Sequence, residues 1–184
     1  MKIIGIGDSN WEKGGHGWKH GFSQVADCET LIYYPGGDTR EVLQRLRGMD
    51  VTEADVPEDA TVMVTLGIND SIYGIPWHEY CKNHVRIKDT LEAMVGPRRW
   101  VWMPGHWQYP GSPIHKEMEN PFFLPFFYGL RAALRYKAKK QNIPFVDLRK
   151  HKDATIYNAP FDPFHLSKES YERIAARVVA EGWG

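Results

Sequence analysis

IIGIGDSN, residues Ile3–Asn10, is an apolar run of β character that stops at glycine and hands the chain to an acid and a serine. A strand that ends this way, almost at the first residue, is the first of five. Further β-type runs recur at Thr30–Tyr34, Thr61–Leu66, Arg99–Met103 and Pro144–Leu148. Like Lys2–Gly7, they are near-continuous apolar stretches rather than strict alternations, the pattern of parallel strands covered on both faces.

Helical patterns fall between them. Asp38 or Thr39 caps a helix carrying Val42, Leu43 and Leu46 that stops at Gly48. Pro76 opens a longer one, ended by Gly96, with an inward stripe of Trp77, Tyr80, Cys81, His84, Val85, Leu91 and Met94. A third runs from about Leu124 to Gln141. Ser167 caps the last, whose inward residues are Tyr171, Ile174, Ala175, Val178 and Val179. This alternation predicts a single domain over residues 1–184, a three-layer α/β/α sandwich on a flavodoxin-like five-stranded parallel sheet of order 2-1-3-4-5.

In such sheets ligands bind outside the carboxyl ends of the strands. Strand one ends in Gly7-Asp8-Ser9, strand two in Pro35-Gly36-Gly37-Asp38-Thr39, and strand three in Gly67-Ile68-Asn69-Asp70. A loop after strand five carries Asp162-Pro163-Phe164-His165 directly before the last helix. One edge thus collects a hydroxyl, a glycine N–H, a carboxamide and an Asp/His pair, the parts that acyl transfer from an ester requires. The Ser9 hydroxyl is too weak an acid to attack unaided, so His165 is the candidate base and Asp162 the acceptor for its Nδ1–H. The N–H of Ser9, the N–H of Gly37 and the side-chain amide of Asn69 are the candidate oxyanion donors. Glycine at position 37 is expected to let the backbone approach a ligand closely.

The four blocks in this order resemble the SGNH (GDSL-type) hydrolases. Gly7-Asp8-Ser9 matches the first block and "GGDTREVLQRL" the second. "GIND" (Gly67–Asp70) matches the third and "DPFH" (Asp162–His165) the last. The resemblance implies metal-free ester hydrolysis through a seryl acyl-enzyme, with Ser9, Gly37, Asn69 and His165 in the roles above and no cofactor. The chain departs from the pattern at Asn10, where an aliphatic residue is usual, and in a glycine displaced to Gly14 or Gly15. The nucleophile-elbow pattern Gly-x-Ser-x-Gly is absent.

Composition narrows the partners. Lys plus Arg and Asp plus Glu balance at 23 each, so no basic field is present to hold a nucleic acid. The most apolar window, Pro121–Leu130, is too short and too proline-interrupted for a membrane span. The few apolar residues after Met1-Lys2 are too few for a signal peptide, so a cytoplasmic location is expected. Cys28 and Cys81 read as two reduced core thiols. His16 and His20 are spaced like metal ligands, but the glycines around them and the lack of a Cys or acid at fitting spacing make them loop histidines.

The segment Pro104–Pro121 is long for a compact domain, and its Trp107 and Tyr109 are candidates to stack on a sugar ring or wall an acyl chain. The expected substrate is a small acyl ester, acetyl above all, on a carbohydrate. A thioesterase or lysophospholipase taking longer chains is the alternative within the same chemistry. A nucleotide- or glycan-binding module without catalysis is the alternative outside it.

Overall fold

The computed structural model describes residues 1–12, 14–104, 123–154, 157–158 and 162–183. Four parallel strands, β1 (Lys2–Gly7), β2 (Asp27–Tyr33), β3 (Thr61–Thr65) and β4 (Arg99–Trp102), form a sheet of order β2-β1-β3-β4. The run after Pro144 continues that order as a loose fifth strand beside β4. It holds there through one parallel bridge, Trp102 to Phe145, in which Trp102 N donates to Pro144 O and Val146 N to Trp102 O, both at 3.0 Å. The sheet is the 2-1-3-4-5 arrangement expected, with its last member reduced to a single point of pairing.

Helices cover both faces. α2 (Thr39–Arg47), α4 (Trp77–Val95) and α5 (Phe123–Lys140) bury Val42, Leu46, Tyr80, Ile87, Leu91, Leu130 and Leu134 against Ile4, Ile6, Val62, Val64 and Trp102. α1 (Trp18–Ser23) and α6 (Lys168–Ala180) bury Trp18, Phe22, Tyr171, Ile174 and Val178 against Ile3, Met63 and Val101. Odd and even residues of β1 thus feed opposite cores, as a pleated strand requires.

Several details differ from the sequence-based expectation. β2 starts at Asp27 and is only partly buried, because it is an edge strand. Trp77 and Met94 are exposed, at 62% and 37%, while Ile87 and Val95 face inward in their stead. Trp77 is the first residue of α4, ahead of the turn where the buried stripe begins. His20 lies inside α1 rather than in a loop, and its Nε2 sits 2.7 Å from Glu172 Oε1 on α6. A five-residue helix, α3 (Ile68–Ile72), follows β3 directly. Residues Asp162–Leu166 form a strand, β6, paired antiparallel with β5 (Tyr157–Asn158), where the sequence predicts a loop. Both cysteines are free, and burial pushes Cys28 up to about 12 and Cys81 up to about 11, which makes them poor nucleophiles. No helix among the described residues is long and apolar enough to cross a membrane.

The glycines of β1 have a packing reason. A Cβ on Gly5 would fall 1.7 Å from Cζ2 of Trp11, and one on Gly7 would fall 2.5 Å from Trp11 Cβ and 2.4 Å from Thr65 Oγ1. The indole therefore lies against bare backbone, fully buried, and its Nε1 donates to Thr30 Oγ1 on β2 at 2.9 Å. Gly5→Ala is expected to destabilise the fold by about 3 kcal/mol or more through overpacking. In a Trp11→Leu background the same change should add less than about 1 kcal/mol, since the two positions are coupled by contact. Urea unfolding of the four proteins in this cycle measures both values.

Candidate active site

The turn after β1 is held by its own side chains. Asp8 Oδ1 accepts from the Asn10 backbone N–H at 2.8 Å and from Asn10 Nδ2 at 3.0 Å, and Trp11 N donates to Asp8 O at 3.0 Å. This Asx-type turn leaves Ser9 at the corner, half-buried between two buried neighbours. Asn10 also uses its main-chain carbonyl, which accepts from Trp18 N at 2.9 Å at the start of α1. The departure from the usual aliphatic residue therefore has a structural role that the block pattern alone does not reveal. The legible signal is an Asp-x-Asn at a strand end.

His165 comes to the same corner from 156 residues away. Its Nε2 is 2.9 Å from Ser9 Oγ, and the ring is buried, 5% exposed. β6 carries it, and Leu166 N donates to Tyr171 OH at 3.3 Å, tying the end of β6 to α6. Ser167 then caps α6 by accepting from Ser170 N. Asp162 opens β6 opposite Asn158, and its side chain lies outside the described residues. Trp107 and Tyr109 also lie outside them.

The candidate oxyanion donors are brought together but are not equally open. Nothing among the described residues accepts from the Ser9 N–H. The Gly37 N–H donates to Tyr34 O at 3.0 Å, closing a turn, so it does not stand open toward Ser9. Asn69 Nδ2 donates to Asp8 Oδ2 at 3.2 Å and to Gly37 O at 3.1 Å, which engages both its hydrogens. Buried N–H groups are nearly always paired, and these take the acceptors that the three loops offer. Glycine at position 37 also has a packing reason within the chain. A Cβ there would meet Cδ1 of Tyr34 at 2.2 Å, so the ring of the preceding turn excludes it.

A second layer of bonds fixes the blocks to one another, and the sequence pattern does not identify it. Asp70, fully buried, accepts from Thr39 Oγ1 at 2.6 Å and from Thr39 N at 3.2 Å, joining the third block to the second. Asn83 on α4 donates to Thr39 Oγ1 at 3.1 Å. Asp38 makes a capping box with Glu41 and an ion pair with Arg40. Burial alone would raise the Asp38 carboxyl, but the hydrogen bonds from Arg40 and Glu41 outweigh it and hold it below its ordinary value. Tyr80 supports the third block from beneath. Its hydroxyl donates to Leu66 O at 3.1 Å and would lie 2.7 Å from a Cβ on Gly67, which sits at φ 138°.

Two carboxyls stand out electrostatically. Burial pushes Asp8 up to about 6, against the hydrogen bonds from Asn10, and pushes Asp70 up to about 7, against those from Thr39.

No protein-family model and no curated protein sequence matches the chain. Solved structures do match, over nearly its whole length. One is a catalytic mutant of the acetylxylan esterase Axe2 from Geobacillus stearothermophilus. It is 17% identical, with a TM-score of 0.68 over 98% of this chain and 93% of that one. Another is the carbohydrate acetylesterase Est24 from Sinorhizobium meliloti, 15% identical, TM-score 0.65, covering 98% and 99% of the two chains. A third is a member of the lipolytic protein G-D-S-L family from Veillonella parvula. It is 13% identical, with a TM-score of 0.68 and coverage of 97% and 96%. The chain therefore has the α/β/α fold of the SGNH and G-D-S-L esterases. Its first three blocks occupy the strand ends where such a sheet carries ligands, and His165 of the fourth meets Ser9 there.

Raised carboxyls give a stability profile of definite sign. Between the unfolded value of about 3.9 and the folded values near 6 and 7, the folded chain holds protons that the unfolded chain releases. The contribution of Asp8 and Asp70 to stability is therefore greatest in acid and is lost as pH rises through 6 to 7. Asp70→Asn keeps the acceptor for Thr39 without the charge. It should be at least as stable as the parent at pH 8, and its melting temperature should change less between pH 5 and 8. Thermal unfolding across that range checks this.

Proposed function

We propose that the chain is a serine ester hydrolase that removes small acyl groups, acetyl above all, from a carbohydrate. The observation that carries this reading is the 2.9 Å contact between Ser9 Oγ and His165 Nε2 at the carboxyl edge of the sheet. At that distance the imidazole takes the Oγ proton as Oγ bonds to the ester carbonyl carbon. The carbonyl oxygen becomes an oxyanion, and the Ser9 N–H is the donor with no competing acceptor among the described residues. The Asn69 amide serves it by turning from Asp8 or from Gly37 O, and the Gly37 N–H by releasing Tyr34 O. As the tetrahedral species collapses, the imidazolium returns the proton to the departing alcohol, leaving Ser9 acylated. Water then repeats the sequence and releases the acid. Asp162, three residues before His165, is the proposed acceptor for Nδ1–H, holding the imidazole in the tautomer whose Nε2 can accept.

The acetyl-carbohydrate part is supported by the matched structures, among them an acetylxylan esterase and a carbohydrate acetylesterase. Trp107 and Tyr109 remain the proposed sugar contacts.

Ser9→Ala and His165→Ala should each lower kcat/KM on 4-nitrophenyl acetate by at least about 10⁴-fold while leaving the melting temperature within a few degrees. Asn69→Ala should lower kcat by about 10²- to 10³-fold with a smaller change in KM. Full activity in Ser9→Ala would overturn the mechanism. Activity on nitrophenyl esters should fall steadily beyond four carbons, and a maximum at eight or more would replace the acetyl reading with the long-chain one. Tight binding of a nucleotide or glycan with no hydrolysis of any ester would favour the non-catalytic module.

A further inference from the structure

A further cavity stands apart from Ser9 and His165, neither of which lines it. It opens between α5 and the loose fifth strand, with a volume of about 560 Å³. Its lining is unusual for a chain whose formal net charge is zero. Arg131, Arg135, Lys139 and Arg149 face it together with a single carboxylate, Asp147. Among the described residues that line it, that leaves an excess of three positive charges.

Asp147 does not satisfy these cations evenly. Arg149 closes on it as a fork, Nε donating to Oδ1 at 2.8 Å and to Oδ2 at 3.0 Å, with Nη2 also on Oδ2. Arg131 and Arg135 reach the same two oxygens only at 3.4 Å. Arg135 is exposed, with 59% of its side chain accessible. Arg131 is buried, which lowers it to about 10, so it still carries its charge at neutral pH. Arg135 and Arg149, both exposed, share the Asp147 carboxylate and repel one another, and an anion in the cavity relieves that repulsion. Guanidinium forks match the planar, bidentate geometry of carboxylate and phosphate.

The remaining walls are aromatic. Tyr128 and Tyr136 stand on the same face of α5, with Phe145 opposite on the fifth strand. Tyr136 is 65% exposed, with Lys140 Nζ 5.5 Å from the centroid of its ring. A flat ring with a polar tip suits a body with both C–H and hydroxyl surfaces.

We propose that this cavity binds the anionic group of a sugar acid or sugar phosphate, with the oxyanion among Arg131, Arg135 and Arg149 and the sugar ring against the tyrosines. A confined pocket holding one carboxylate of its own suits a single anionic unit better than a nucleic acid backbone, which needs an extended basic track.

Isothermal titration of the whole chain at low ionic strength with galacturonate, glucose 6-phosphate and inorganic phosphate tests this. Saturable binding of at least one sugar anion is expected at low millimolar or tighter, at least about threefold tighter than inorganic phosphate. Which sugar anion binds better assigns carboxylate or phosphate as the natural group. Arg135→Ala and Arg149→Ala should each weaken it by about tenfold, while Ser9→Ala leaves it unchanged. Tyr136→Ala should weaken the sugar anions but not phosphate. No saturable binding of either sugar anion, binding no tighter than that of inorganic phosphate, or affinity untouched by both arginine changes would overturn the proposal. Because the readout is binding, it stands or falls apart from any esterase activity.

Discussion

The indole of Trp11 lies against the two glycines of β1, and the position of the Ser9 corner follows from that contact. A side chain at either glycine would lift the ring, and the ring follows Ser9 by only two residues. Burying Trp11 folds the chain back over its own strand, which is what places Ser9 at a turn rather than on an extended segment. Its Nε1 bond to Thr30 adds the neighbouring strand, so the turn is referenced to two strands at once. A buried ring of this size contributes several kcal/mol of packing, enough to hold an otherwise irregular loop in one shape.

From that corner a polar web spreads to the other blocks. Asp8 reaches Asn69, Asn69 reaches Gly37, Asp70 reaches Thr39 and Thr39 reaches Asn83, so the ends of three strands and the long helix α4 form one connected unit. Two carboxylates buried for this purpose are unfavourable in themselves, as their raised proton affinities record. In exchange, Asp8 orients the Asn10 and Asn69 amides and Asp70 the Thr39 hydroxyl.

Much of this is legible from residue order. The strand ends and the capping residues Asp38 and Ser167 follow from local chemistry, and the structure has them where periodicity and capping rules put them. What is not legible depends on contacts across the sheet. Gly37 reads as an opening for a ligand and Gly5 carries no local signal, yet each is required by an aromatic ring, Tyr34 or Trp11, whose position no local pattern gives. Trp77 reads as core because it is large and apolar, and it is exposed because it precedes the first buried turn of its helix. Asp162-Pro163 reads as a loop because it lies between the fifth β-type run and the last helix. An edge hairpin with a two-residue partner tolerates the proline.

The fifth strand, joined to β4 through one bridge, gives the sheet an uneven resistance to breathing. β1 is paired on both sides along its length, whereas the β4 rim beyond Trp102 depends on two backbone bonds. Amide hydrogens at that rim should exchange with solvent through small local openings, while those of β1 wait for the whole domain to come apart. The molecule can thus flex along the wall beneath Tyr136 without loosening the frame that carries Ser9.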